Sequence, residues 1–186
     1  MPSFHILIPS IGRPTLQRLI NSLLPQLHEC DHITIVFDDV EPMKITTEGA
    51  KCQIHIYRQT PNLGFWGHGI RNKYANKIER TEFVMHADDD DMYIEGVFDK
   101  LRLLCKRDDT LYIAKIIDCF GNIMPPGNYV KEGIINTACG IIPYDLNISA
   151  IWTRRFGGDG AFYQAIADQA KHVEFLDFAI YKSRDV

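Results

Sequence analysis

The sequence lacks the features that mark disulfide-rich, zinc-binding and membrane-spanning proteins. It has five cysteines, an odd number, and none of them form a C-x-x-C pair. A disulfide framework and a zinc knuckle are therefore both disfavoured, and a reducing compartment fits better. No apolar run approaches the length needed to span a bilayer, and no basic segment with a cleavage site precedes the first apolar run. We therefore expect a cytoplasmic protein with no membrane span.

An excess of basic charge is also missing. Lys and Arg number 20 against 24 Asp and Glu, so the formal net charge is −4, and basic residues cluster only in short pairs such as Lys106-Arg107. A nucleic-acid-binding protein normally concentrates Lys and Arg on one face, so a nucleic-acid acceptor or partner is disfavoured. Repeats, low-complexity tracts and linkers are absent as well. The length of 186 residues then favours one domain, 1–186.

The sequence does contain apolar strand-like runs that alternate with amphipathic helical patterns. Strands are predicted at 4–9, 33–37, 52–57, 82–85 and 111–117, and helices at 16–24, 70–78 and 97–105. This order predicts an α/β fold, a three-layer α/β/α sandwich around a mainly parallel mixed sheet. Beyond Phe120 we predict a strand-like segment at 133–143, a helix at 161–170 and one or two short strands within 173–182.

Polar clusters follow three of the predicted strands. They are Pro9-Ser10-x-Gly12-Arg13, Asp38-Asp39 and the four aspartates 88–91. In open α/β sheets, ligands bind outside the carboxyl ends of the strands. Because parallel strands end at the same edge of a sheet, we expect the three clusters to contribute to one site.

The four adjacent aspartates are the strongest indication of chemistry. They follow the apolar run 83–85 directly, and like charges this close repel one another. A divalent cation would relieve the repulsion, and oxygen ligands suit Mg²⁺, Mn²⁺ or Ca²⁺. Alternate side chains of an extended segment point the same way, so we predict that Asp88 and Asp90 face the site. A solvated acidic turn or a helix N-cap is the alternative.

Two further segments could contact a ligand at this edge. A carboxylate at Asp38 or Asp39 could accept a hydrogen bond from an imide N–H, or it could cap a turn. The segment 62–72 begins Asn62-x-Gly64, and its glycines allow backbone to approach a ligand closely. Arg71 in the same segment could bind phosphate or carboxylate in a bidentate fork.

Two aromatic side chains in that segment are compatible with two different arrangements. Trp66 and His68 could stack on, or cap, a sugar or base. Alternatively, Trp66 lies in the core and the segment is a flexible loop.

A single carboxylate lies in the glycine-rich run 157–160. Asp159 could act as a general base if an acceptor hydroxyl lies near it. From its position before a predicted helix, it is equally suited to be an N-cap.

Taken together, these motifs resemble the GT-A fold glycosyltransferases, and among them the inverting, family-2-like nucleotide-sugar transferases. IPSIGRPT at 8–15 is similar to that group's first-strand nucleotide loop, and IVFDD at 35–39 to its uracil-contacting strand. NLGFWGHGIRN at 62–72 is similar to its Asn-x-Gly…Arg-Asn segment, and FVMHADDDDMYIEG at 83–96 to its metal strand. GGDGAF at 157–162 resembles its catalytic-base segment, although Gly158 stands where the family usually has a second acidic residue.

The resemblance implies transfer of a sugar from a UDP-sugar donor to a hydroxyl of a saccharide or glycoconjugate acceptor, with inversion. It implies a donor-binding part at about 1–95 and an acceptor and catalytic-base part at about 96–186. Asp90 and Asp88 would hold Mn²⁺ or Mg²⁺, and Asp159 would be the catalytic base. The donor-binding residues that it implies are Pro9, Ser10, Arg13, Asp38, Asp39, Asn62, Gly64, Arg71, Asp88 and Asp89.

Other functions were weighed against this one. A nucleotidyltransferase uses a similar sheet and metal, but it would normally have a glycine-rich loop with a lysine after the first strand, which the segment 10–15 does not provide. A phosphatase with an aspartyl nucleophile would favour Asp-x-Asp on the first strand. A non-catalytic, metal-dependent module that binds a nucleotide or carbohydrate is the alternative from a different class.

Overall fold

A mixed β-sheet runs through the computed structural model, which describes residues 1–183. The strands within that range are β1 Phe4–Ser10, β2 His32–Asp38, β3 Gln53–Gln59, β4 Phe83–His86, β5 Met92–Tyr93, β6 Thr110–Ile117, β7 Ile123–Met124, β8 Gly140–Pro143 and β9 His172–Lys182. The α-helices are α1 Leu16–Leu23, α2 His68–Tyr74, α3 Val97–Leu104, α4 Tyr144–Ser149 and α5 Gly158–Ala167, and a 3₁₀ helix spans Thr137–Cys139.

The order of the strands in the sheet is β3-β2-β1-β4-β8-β6-β9-β5, with β7 beside β6. The first four strands in this order are parallel, as are β6 and β9, and these pairings are the long ones. Strand β8 is antiparallel to both of its neighbours. The prediction of a mainly parallel mixed sheet is therefore confirmed.

Helices cover both faces of the sheet because side chains alternate along the strands. In β1, the fully buried Phe4, Ile6 and Ile8 belong to the large core cluster that includes the apolar faces of α1 and α3. Leu7, on the opposite face, packs with Ile70 of α2 in a second cluster. The chain thus has the predicted α/β/α layers. No helix within residues 1–183 is both long and apolar enough to cross a membrane.

The sequence predictions were least accurate beyond Phe120. The segment 133–143 was predicted to be strand-like, but only Gly140–Pro143 forms a strand, and it follows the 3₁₀ helix. Asn136 caps that helix by accepting a hydrogen bond from the N–H of Ala138 at 3.3 Å. The one or two short strands predicted near the end are a single strand of 11 residues. Helix α5 begins at Gly158, earlier than predicted.

A buried ion pair connects elements that are distant in sequence. Arg102 of α3 contacts both carboxylate oxygens of Asp31 and donates to the carbonyl of Pro2 at 2.6 Å. The same carboxylate accepts the N–H of Phe4 at 2.9 Å and the N–H of His28 at 2.7 Å. Both charged side chains are almost fully buried, so the pair ties the starts of β1 and β2 to α3.

We predict that Arg102→Ala lowers the free energy of unfolding by about 3–5 kcal/mol, because it leaves a buried carboxylate without its cation. Urea unfolding followed by circular dichroism measures the change. The matched control is Arg80→Ala, since Arg80 makes a similar bidentate pair with Asp145 but both side chains are mostly exposed. The control should unfold close to the parent midpoint. Equal shifts for the two variants would contradict the prediction.

Candidate functional site

A cleft of about 290 Å³ opens at the carboxyl ends of β1, β2 and β4. All three strand-end clusters contribute to it, together with the segment that precedes α2. The residues that line it are Pro9, Ser10, Ile11, Arg13, Asp38, Asn62, Gly64, Trp66, Gly67, Asp88, Asp89, Asp90 and Thr137. Eight of the ten predicted donor-binding residues lie in this set, and the other two, Asp39 and Arg71, do not.

Asp89 anchors the loop that follows β1. Its carboxylate accepts hydrogen bonds from the Ser10 hydroxyl at 2.7 Å, the N–H of Ile11 at 3.1 Å and the Arg13 guanidinium at 2.8 Å. The residue is only 3% exposed. Its carboxylate therefore shapes the loop that forms one wall of the cleft.

The acidic segment is a tight turn, since the N–H of Asp91 donates to the carbonyl of Asp88 at 3.3 Å. Asp88 and Asp90 line the cleft, and their side chains are 34% and 15% exposed. Asp91, by contrast, is buried. Asp88 and Asp90 thus line the cleft, but so does Asp89, and a turn with buried contacts produces this arrangement rather than the alternation of an extended strand.

Arg71 is fully buried and joins three parts of the site. Its guanidinium donates to a carboxylate oxygen of Asp88 at 2.6 Å, to the carbonyl of Ala87 at 3.2 Å and to the carbonyl of Trp66 at 2.9 Å. It also lies 5.0 Å from the ring centroid of Trp152. The side chain is outside the cleft lining, so the geometry supports a role in positioning Asp88 rather than the predicted direct contact with a nucleotide.

Asp38 holds the loop at 62–64. Its two carboxylate oxygens accept the N–H of Leu63 at 2.8 Å and the N–H of Gly64 at 2.9 Å. Asn62 donates through its side chain to the Asp38 carbonyl at 3.3 Å. Asp39 is exposed, with a left-handed φ of 61°, and lies outside the cleft lining. Of the two carboxylates predicted to contact a base, only Asp38 lines the cleft.

Four consecutive residues next to this anchor have left-handed backbone. The φ angles of Gly64, Phe65, Trp66 and Gly67 are 61°, 55°, 52° and 81°. L-residues adopt this region rarely, and a left-handed turn is unfavourable for them. The conformation leaves Trp66 66% exposed, so the alternative that placed Trp66 in the core is wrong.

Asp159 lies in the first turn of α5, near Asp88 and His68 but outside the cleft lining. Burial raises the pKa of its carboxyl, and the charge of Asp88 adds to this increase, whereas His68 and the N–H of Gly160 oppose it. One carboxylate oxygen accepts that N–H at 2.9 Å. A carboxylate with a raised pKa accepts a proton more readily than an ordinary one, which suits a general base.

Gly158 has a steric reason to lack a side chain. A Cβ there would lie 2.3 Å from the carbonyl oxygen of Thr153 and 2.8 Å from Cε1 of His68. The imidazole of His68 is 5% exposed, and its Nδ1 lies 2.8 Å from that carbonyl. Burial lowers the pKa of the His68 imidazole. His68 thus fills the space into which a second acidic side chain would project, an arrangement that the sequence motif did not indicate.

The possible metal ligands at the cleft are few. Within residues 1–183, no three His, Cys, Asp or Glu side chains come together as a metal site. Two of the carboxylates that line the cleft, Asp88 and Asp90, each contact an arginine, Arg71 at 2.6 Å and Arg13 at 3.1 Å. One or two protein carboxylates, completed by substrate phosphates and water, are a usual donor set for Mg²⁺. The residues fit an ion of that kind and do not form a complete protein cage.

Comparison with known proteins adds structural relatives. The structure of S. aureus TarS 1–349 in complex with UDP-GlcNAc superposes with a TM-score of 0.80 over 99% of this chain, at 17% sequence identity. TarS is a glycosyltransferase. This chain shares the GT-A-like fold of TarS. Two other TarS structures have TM-scores of 0.76 and 0.78, at 17% and 16% identity and 98% coverage of this chain.

This chain spans only part of the length of those proteins. It covers 59% and 60% of the two TarS 1–349 chains and 36% of the longer one. No protein-family model matches the sequence, and no curated protein matches it. At this level of identity the likeness shows the fold alone.

We predict that Asp159→Asn stabilises the protein near pH 7. The pKa of Asp159 is raised by burial, so the stability that this group contributes is present at low pH and is lost as the pH rises through the raised pKa. Asparagine removes the buried charge. Thermal unfolding between pH 3 and pH 8 should therefore show a higher Tm for the variant at neutral pH, with a gain that shrinks in acid.

The control for this measurement is Asp118→Asn. Hydrogen bonds from Asn122 hold the pKa of Asp118 below its ordinary value, so its carboxylate contributes stability that is present above that ordinary pKa and lost in acid. The control should lose stability at neutral pH. A Tm for Asp159→Asn below that of the parent at pH 7 would contradict the assignment of a destabilised buried charge.

Proposed function

We propose that this chain is a metal-dependent glycosyltransferase that moves a sugar from a UDP-sugar to an acceptor hydroxyl with inversion. The observation that carries the proposal is the single cleft at the carboxyl ends of β1, β2 and β4, lined by Asp88, Asp90 and Arg13. It lies in a fold shared with TarS, one of whose structures contains UDP-GlcNAc. Ligands bind at this edge of open α/β sheets in general.

The cleft offers groups suited to each part of a nucleotide-sugar donor. Asp38 ends β2, and Asn62 reaches its carbonyl from the loop after β3. A uracil imide would find polar partners here, although backbone amides already bind both Asp38 oxygens. Arg13 is 42% exposed at its side chain, so its guanidinium is available to the phosphates of the donor. The mixture of arginine and aspartate suits a diphosphate accompanied by a divalent cation.

Asp88 and Asp90 are the residues that would hold Mn²⁺ or Mg²⁺, with diphosphate oxygens completing the coordination. When bound, the ion neutralises negative charge on the departing UDP. The arginines beside these aspartates also bring positive charge to this part of the cleft, since Arg71 contacts Asp88 and Arg13 contacts Asp90. The chain's own contribution is thus to hold two carboxylates in the lining of the cleft.

The proposed role of Asp159 is to accept the proton of the acceptor hydroxyl. As that proton moves to the carboxylate, the acceptor oxygen forms a bond to the anomeric carbon. The bond between the anomeric carbon and the diphosphate oxygen breaks, and UDP leaves with the bonding electrons. Attack opposite to the leaving group inverts the anomeric configuration. The raised pKa of Asp159 supports this assignment.

The decisive experiment combines binding with turnover. Thermal shift with a panel of nucleotide sugars, with and without Mn²⁺, identifies the donor because bound ligand raises the apparent stability. Release of UDP from that donor then separates an enzyme from a binding module. Stabilisation without release would favour the non-catalytic module, and pyrophosphate release from a nucleoside triphosphate would favour a nucleotidyltransferase.

We predict that Asp90→Ala removes the Mn²⁺-dependent part of UDP binding, because one of the two carboxylates proposed to hold the ion is lost. The backbone carbonyl of Asp90 still accepts the hydrogen bond from Arg18, so the turn keeps that tether. Calorimetric titration with UDP, with and without Mn²⁺, measures the effect. The matched control is Asp99→Ala, an exposed aspartate of α3. Mn²⁺-dependent binding that survives in Asp90→Ala would exclude Asp90 as a ligand.

We further predict that Asp159→Asn binds the donor as the parent does but transfers sugar about 10²–10⁴-fold more slowly, the usual contribution of a general base. A coupled assay of UDP release with acceptor present measures the rate. The stability measurements on the same variant show whether it is folded. Transfer at the parent rate would show that Asp159 is not the base.

A further inference from the structure

Three exposed aromatic side chains lie beside the cleft, and one of them, Trp66, lines it. Phe65, Trp66 and Phe156, here called the aromatic rim, are 46%, 66% and 85% exposed. The rings of Trp66 and Phe156 meet edge to face, with centroids 6.1 Å apart and an interplanar angle of 75°. Single exposed apolar residues are ordinary, but a contiguous group beside a cleft commonly marks a binding surface. The aromatic rim is not used by the donor chemistry proposed above.

An unusual backbone conformation accompanies the exposure of two of these rings. Phe65 and Trp66 both have left-handed φ angles, which non-glycine residues adopt at a cost of about 1–2 kcal/mol each. The turn is held by the buried Arg71, which donates to the Trp66 carbonyl, and by the N–H of His68, which donates to the Phe65 carbonyl at 2.9 Å. Strained residues that persist in this way cluster at functional sites. Here the strain keeps the indole out of the core.

The rim connects the donor cleft to the proposed base. Trp66 itself lines the cleft. Phe156 lies in the loop immediately before α5 and precedes Asp159 by three residues. A molecule that rests on both rings would therefore lie beside the cleft and close to the helix that carries the base. That is the position required of an acceptor hydroxyl.

Polar groups accompany the rings. The guanidinium of Arg154 lies 5.5 Å from the ring centroid of Phe65. Arg155, in the same loop, donates to Glu132 at 2.6 Å, and both side chains are about half exposed. Aromatic faces beside exposed hydrogen-bonding groups suit a saccharide, which offers C–H faces for stacking and hydroxyls for hydrogen bonds. The net charge of −4 disfavours a nucleic acid as the stacked partner.

We propose that the aromatic rim is the acceptor subsite and that it takes a saccharide stacked on Trp66 and Phe156. The inference rests on the proposed function, because the term acceptor presupposes sugar transfer. Phe156 is a specificity-determining residue in this proposal: it holds the acceptor in place and takes no part in proton transfer.

The test uses Phe156→Ala, with methyl glycosides and disaccharides as acceptor probes. Loss of one stacking ring should raise the acceptor KM about 3–10-fold, from the usual strength of an aromatic contact. The donor KM and the rate of UDP-sugar hydrolysis without acceptor should stay at the parent values. Phe156→Tyr should restore the acceptor KM because it keeps the ring. An unchanged acceptor KM in Phe156→Ala would overturn the proposal.

The matched control is Phe120→Ala. Phe120 is 86% exposed, in the turn between β6 and β7, and lies outside the cleft lining. This substitution removes an equally exposed phenylalanine ring from another part of the surface and should leave every kinetic constant unchanged. Equal effects of Phe120→Ala and Phe156→Ala on the acceptor KM would overturn the assignment of the rim.

A direct binding measurement separates failure of the subsite from failure of the proposed function. Tryptophan fluorescence of the parent should be quenched by the saccharide probes, and less so in Phe156→Ala. Quenching without UDP-sugar turnover would leave the saccharide subsite standing while the transferase function fails. UDP-sugar turnover without any quenching by saccharides would support the transferase function and overturn the saccharide subsite. Quenching by single-stranded oligonucleotides alone, or a Phe156-dependent dimer in light scattering, would overturn the saccharide as occupant.

Discussion

The candidate site depends on one buried cation, the guanidinium of Arg71. It lies at zero exposure and contacts the side chain of Asp88, the carbonyl of Ala87, the carbonyl of Trp66 and the face of Trp152. A buried charge is tolerated only where its partners are held around it. Those partners come from the acidic turn, the strained loop and the segment before α5. The buried charge of Arg71 therefore holds these three segments together.

The acidic residues of the site have separate physical roles. Asp89 and Asp38 each accept backbone N–H groups, and they fix the loops that form the walls of the cleft. Asp88 and Asp90 face the cleft beside arginines. Asp159 lies farther along the chain, where burial raises its pKa. Carboxylates that are identical in sequence thus differ in function because their hydrogen-bond donors and their burial differ.

The fold was more predictable in its first half than in its second. Up to residue 117 most apolar runs are long and regular, and β1, β2 and β4 are buried on both faces, so local pattern and final structure agree there. Two strands were not predicted, β5 before residue 117 and β7 after it; they have two residues each and exist through pairing with β9 and β6. Two residues are too few to show the alternating apolar pattern of a strand, so nothing in the local sequence indicates them. The prediction that 133–143 is strand-like was wrong before Gly140 for a related reason, since apolar residues there pack without forming a strand.

The sequence by itself determined the order of the longer strands and helices up to residue 117 and the polar clusters at the strand ends, because both depend on local periodicity and on neighbouring residues. Only the tertiary structure decided that Arg71 is buried, that His68 fills the space beside Gly158, and that Trp66 is exposed. Each of these outcomes depends on atoms from segments far apart in the chain. Side-chain packing and charge compensation in three dimensions, which no local pattern encodes, set them.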